Sequence, residues 1–182
     1  MTASRTYAGL KVGDVAIAYL LLRILIGVNY FNHGFTRIFN IPGFVEDTVK
    51  TLEGSYFPEF LVRINSFLVP PVELIVGILI TIGLFTRGSL IATFILMIIL
   101  KLGVTSIQNW GAATSMISYG LVLFILLAGA GFNTYSLDQW LNRNRKSATL
   151  DDQAKPGMFS FATQFWAKRP HRRRLPSVTS FR

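Results

Sequence analysis

No cysteine occurs among the 182 residues, and histidine occurs twice, at His33 and His171. The first absence excludes a disulfide framework, thiolate-held iron–sulfur centres and dithiol exchange on this polypeptide. With one of the two histidines in a basic tail, a bis-histidine haem site is not expected. Acids are scarce too, nine against eighteen lysines and arginines. There is no Gly-rich phosphate loop, no HExxH and no paired metal-ligand spacing, so no metal site is expected. No Ser–His–acid set can be assembled at one depth of the chain, and catalytic residues are therefore unknown. Any redox role must rest on a bound organic molecule or on a partner; no covalent cofactor is expected.

Apolar residues are what the chain has in excess: 51% of it is hydrophobic, and the mean hydropathy is +0.46. That much apolar surface has to be buried in lipid, and a bilayer core about 30 Å thick needs roughly 20 apolar helical residues to cross it. Four windows meet the requirement, Val15 to Phe35, Phe67 to Phe85, Leu90 to Ile107 and Ala112 to Ala130. The first carries Arg23, Asn29, Asn32 and His33 and lacks a small-residue cleavage site, so it reads as a true span rather than a removable signal. Continuous apolar runs favour helices over a barrel, because spanning backbone must satisfy its own hydrogen bonds. The expected fold is all-α, an integral membrane four-helix bundle over residues 1–141, followed by a basic cytoplasmic C-terminal tail over 142–182.

Charge sets the expected orientation. From Arg143 onward there are ten basic residues against two acids, Asp151 and Asp152. With Arg5, Lys11 and Arg87 they mark the cytoplasmic side by the positive-inside rule, so both termini are expected in the cytoplasm of a bacterial-type cell membrane, the chain crossing it several times. The connection Thr86-Arg87-Gly88 is short enough to make the second and third helices a direct antiparallel hairpin. The longer stretch from Arg37 to Ser66 spaces Phe44, Val45, Val49 and Leu52 like a short surface helix, with a solvated loop as the alternative. In the tail, Phe161 and Phe165 recur with Trp166 beside them, as in a short interfacial helix near 157–167. Arg172, Arg173 and Arg174 follow, and these residues are expected to touch anionic lipid or an acidic protein partner. Nucleic acid is not an expected partner, since no recognition fold accompanies the basic run.

Ionisable groups inside spans are costly and need a partner or a wet cavity. At ~1.5 Å of rise per residue, His33, Glu73 and Lys101 share the outer third of the membrane, while Arg23 lies in the inner half. Glu73 is expected to pair with Lys101 across the hairpin, with His33 near; Arg23 either snorkels to headgroups or takes Glu73 instead. On the first helix Arg23, Gly27, Tyr30 and Gly34 form one stripe, and small residues there permit close helix contact. Asn29 and Asn32 face elsewhere, toward another helix or subunit. Gly77 lies on a comparable line of the second helix, and Gly83 and Arg87 belong to the turn. The set His33, Glu73, Lys101, Arg23 and Tyr30 is either a structural ion-pair cluster or a pocket for an amphipathic headgroup such as a quinone, held by hydrogen bonds against apolar walls.

Leu22-Arg23 with Gly27, His33-Gly34, Val72-Glu73 with Gly77, Gly83-Leu84-Phe85-Thr86-Arg87, and Gly129-Ala130-Gly131 leading to Ser136-Leu137-Asp138 follow in an order that resembles the DoxX/DoxD family of four-helix membrane proteins, which includes the membrane subunit of thiosulfate:quinone oxidoreductase. The resemblance covers roughly Asp14 to Leu141. It implies a redox-associated membrane subunit that works with quinone and a second protein subunit, possession of a thiosulfate dehydrogenase activity being the specific case. The alternative reading is a non-catalytic membrane adaptor or accessory subunit of a larger complex.

Overall fold

The computed structural model describes residues 6–7 and 10–144. The expected tail contacts, Phe161, Phe165, Trp166 and Arg172 to Arg174, lie outside the described residues. A small antiparallel pair, β1 (Thr6–Tyr7) and β2 (Leu10–Lys11), leads into α1 (Val12–Ile38). Then follow α2 (Ile41–Thr51), α3 (Glu59–Ile82), α4 (Thr86–Ser106) and α5 (Trp110–Ala128). A 3-10 turn, Ala130–Phe132, precedes a helical stretch that begins at 137.

Four of these helices, α1, α3, α4 and α5, are long and apolar enough to cross a membrane. The bundle is therefore all-helical with four spans, as the hydropathy windows require. The spans overrun the windows at polar ends. Helix α3 starts eight residues before Phe67 because Glu59 lies in its first turn and pairs with Arg63 at i, i+4, at 2.7 Å. Such charged turns propagate a helix, yet a hydropathy window stops at them. The Arg37–Ser66 connection is mostly helical, with α2 capped by the Asn40 side chain, which accepts from Gly43 N at 3.1 Å, and with Pro42 in its first turn.

Helix α1 packs chiefly on α3, and the contact is backbone against backbone. A Cβ on Gly77 would stand 2.6 Å from Phe31 Cα, one on Gly34 2.7 Å from Leu74 Cα, and one on Gly27 2.8 Å from Thr81 N. Ordinary carbon contacts are about 3.5–4.0 Å, so only glycine admits this approach. The three contacts share one antiparallel register and set Arg23 level with the α3–α4 turn. That turn is made by Gly83 in the left-handed region (φ 72), with Leu84 N donating to Leu79 O at 3.0 Å. Ile80, Leu90, Leu123 and Leu126 form the fully buried centre, flanked by Tyr19, Ile26, Tyr30, Val76 and Met97. Contacts between α1 and α5 are the sparsest among neighbouring spans.

Candidate functional site

Two polar clusters, one at mid-length of α1 and one at its C-terminal end, engage Arg23, Arg37 and Glu73. At the turn end, Arg23 is 2% exposed. Its guanidinium donates to Asn133 Oδ1 at 2.6 Å, to Tyr135 O at 3.0 Å and to Thr81 O at 3.5 Å. Asn133 Nδ2 donates on to Thr86 Oγ1 at 3.0 Å, and Thr86 Oγ1 donates to Asp138 Oδ2 at 3.0 Å. The Asp138 carboxylate also accepts from Phe85 N and Thr86 N at 2.8 and 2.9 Å, closing the start of α4. The chain from guanidinium to carboxylate ties α1, the α3–α4 turn and the segment after α5 into one unit. Arg23 thus neither snorkels nor takes Glu73: its partners are Asn133 and two backbone carbonyls, groups that a search for acids overlooks.

At the α2 end, Glu73 is 3% exposed and accepts from Arg37 Nη1 at 2.7 Å. Arg37 also stands over the Phe44 ring, 4.8 Å from its centroid. The expected Glu73–Lys101 pair does not form. Lys101 Nζ donates to Ala113 O at 2.8 Å, joining α4 to the start of α5. The reason is rotational: α3 turns Glu73 toward α1, whose stripe of Arg23, Gly27, Tyr30 and Gly34 reaches Arg37 three residues further on. That continuation was the available signal, and the hydropathy window ending at Phe35 hid it.

Of the five expected cluster residues, three are thus engaged by groups outside the set. Two remain. The Tyr30 hydroxyl is buried, on a residue 3% exposed, and has no hydrogen-bond partner. It belongs to the core cluster against which Tyr119 packs. The half-buried His33 makes no side-chain hydrogen bond to a described residue and sits in the field of Arg37. Gly27, Gly34 and Gly77 lie where α1 and α3 touch, and Gly83 lies in the turn, facing the Arg23 guanidinium. No group of three or more His, Cys, Asp or Glu able to hold a metal occurs among the described residues.

A groove of about 210 Å³ runs along the α1–α5 seam, lined by Leu25, Ile26, Asn29, Ser118, Tyr119 and Val122. A second crevice, of about 270 Å³, lies under α2 against α3 and α4, between Phe44, Leu52, Ser66, Val69, Leu100 and Gly103.

Four apolar spans whose buried charges are met by internal partners define a multi-pass helical membrane protein with two internal polar staples. Residues 18–106, from within α1 to the end of α4, match the DoxX family model, and this region of the chain is a DoxX domain. Neither the curated proteins nor the solved structures contain a match to it. The matched region includes Arg23, Arg37, Glu73 and Thr86, while α5, Asn133 and Asp138 follow it.

Proposed function

We propose that this DoxX-domain protein is a redox-associated membrane subunit that binds a quinone noncovalently, with the catalytic centre on a partner chain. The observation that carries the reading is the Tyr30 hydroxyl, a buried donor without an acceptor inside a span. Leaving such a group unsatisfied costs roughly 1–3 kcal/mol, and a carbonyl oxygen of a bound ring would recover it. The surroundings suit a planar apolar ring, since Tyr30 belongs to the cluster of Ile26, Val76 and Met97, with Phe94 and Tyr119 packed against it. Thiosulfate is the leading electron donor because the family resemblance includes that enzyme's membrane subunit. The basic residues near both termini support placing them in the cytoplasm.

The test is direct. Purified protein is extracted and assayed for quinone, and thiosulfate-dependent quinone reduction is measured in membranes with and without the gene. Bound quinone and a gene-dependent rate are expected; no quinone and an unchanged rate would refute the reading. The adaptor reading draws on one feature, the tie between Asp138 and the α3–α4 turn, which anchors the segment after α5 to the bundle. Truncation after Leu141 separates the two: an adaptor loses its partner on co-purification, whereas a quinone site between helices survives.

A further inference from the structure

The α1–α5 groove differs from the rest of the lipid-facing surface in the state of its polar groups. On the exposed face of α5 the neighbouring hydroxyls turn back onto their own helix: Thr114 donates to Trp110 O at 2.8 Å and Ser115 to Gly111 O at 3.1 Å. This is the ordinary way a hydroxyl is satisfied in hydrocarbon. Ser118, in the same helix, does not do so. Asn29, Ser118 and Tyr119 line the groove and make no side-chain hydrogen bond to any described residue. The buried Tyr30 hydroxyl, on the residue next to Asn29, is also without a partner, in a cluster against which Tyr119 packs. Three polar side chains without a partner thus line the seam where the bundle is most loosely closed.

Depth narrows the occupant. Ser118 is eight residues into α5, about 12 Å from Trp110 at ~1.5 Å per residue and about 15 Å from Ala128, near the middle of the span. Phospholipid ester carbonyls sit at headgroup depth and do not reach there, and water is excluded. What reaches the middle of a bilayer, offers hydrogen-bond acceptors and is flat and apolar enough for walls of Leu25, Ile26 and Val122 is a lipid-soluble ring carrying carbonyl oxygens. Asn29 and Ser118 supply the donors, an amide N–H and a hydroxyl.

We infer that the α1–α5 groove is the quinone site, entered sideways from the lipid, with Asn29 and Ser118 donating to a ring carbonyl and Tyr30 in reserve. This rests on the quinone reading above and adds its place. The paired Glu73–Arg37 and the Arg23 cluster are then structural. The test is equilibrium binding of a short-chain benzoquinone to the detergent-purified full chain, with Ser118→Leu and Asn29→Leu alongside. Ser118 is exposed, so its leucine fills the groove without entering the core. Each variant should weaken binding at least tenfold, with a melting temperature close to that of the wild type. Wild-type binding that both variants leave unchanged would overturn the groove while sparing the quinone reading. No binding by the wild type would overturn both. Displacement of the quinone by a short-chain phospholipid, lost in Ser118→Leu, would make lipid the occupant and overturn the inference. Should one variant fail to fold, the other still decides it.

Discussion

Gly77→Ala offers the sharpest test of how the bundle is held. The added Cβ would stand 2.6 Å from Phe31 Cα and 2.9 Å from the Tyr30 carbonyl carbon, both backbone atoms that cannot turn aside. Reaching an ordinary 3.5–4.0 Å separation means parting α1 and α3 by about 1 Å, and a gap of that size forfeits a quarter to a half of each dispersion contact. For ~40–60 atom pairs at ~0.1–0.2 kcal/mol each, the loss is about 3 kcal/mol, within a range of about 1 to 6. Lipid supplies no hydrophobic pressure to push the helices back together, so packing lost here is not regained. At about 2–4 °C per kcal/mol, melting in detergent followed by tryptophan fluorescence should fall by about 6–12 °C. Gly88→Ala is the control. A Cβ there meets nothing within 4 Å, and alanine is the better helix former, so its melting point should stay or rise. Equal melting of the two variants would refute the close-packed α1–α3 seam.

Three further outcomes follow from the polar clusters. Arg37→Met should destabilise by about 3 kcal/mol by leaving Glu73 buried and uncompensated, while the Arg37→Met/Glu73→Leu double variant should recover most of the loss in the same melting assay. Asn133→Ala should cost about 1.5–3 kcal/mol through the lost hydrogen bond to the Arg23 guanidinium, and should raise hydrogen exchange at Phe85 and Thr86, whose amides depend on Asp138. Glu46 of α2, bonded to Arg63, has its carboxyl held below the ordinary 4.5, first by the Arg63 hydrogen bond and then by its charge. The contact is therefore present above the unfolded value and is lost as pH falls through the lower folded one. Exchange in α2 should accelerate on acidification below the ordinary carboxyl value of 4.5 in the wild type, and should be fast already at neutral pH in Arg63→Gln.

The sequence made the four spans legible because each is a run of apolar residues near bilayer length, and the α3–α4 hairpin legible because only a short turn at Gly83 separates two of them. The stripe of Arg23, Gly27, Tyr30 and Gly34 was equally visible, since helical periodicity alone puts those residues on one face. Partner choice was not. Glu73 and Lys101 share a depth, but depth carries no information on helix rotation, and α4 aims Lys101 at Ala113 O instead. Arg37 was counted with the loop because polarity at Thr36 and Arg37 ended the apolar window, although the helix runs to Ile38. Asn133 is a neutral residue beyond the last span, and its role as the acceptor for Arg23 depends on the chain folding back after α5. Asp138 could be seen in the pattern ending Ser136-Leu137-Asp138; that it caps α4 could not.

The central claim is that the unpaired groups of the α1–α5 seam, rather than the paired charges, receive the quinone. Photolabelling the purified chain with an azido-quinone and locating the adducts by peptide mass spectrometry tests it most directly. Labels that fall within residues 25–30 and 118–122, and that excess unlabelled quinone suppresses, are the predicted result. Suppressible labels confined to the segments carrying Arg37, Glu73 or Lys101 would contradict it.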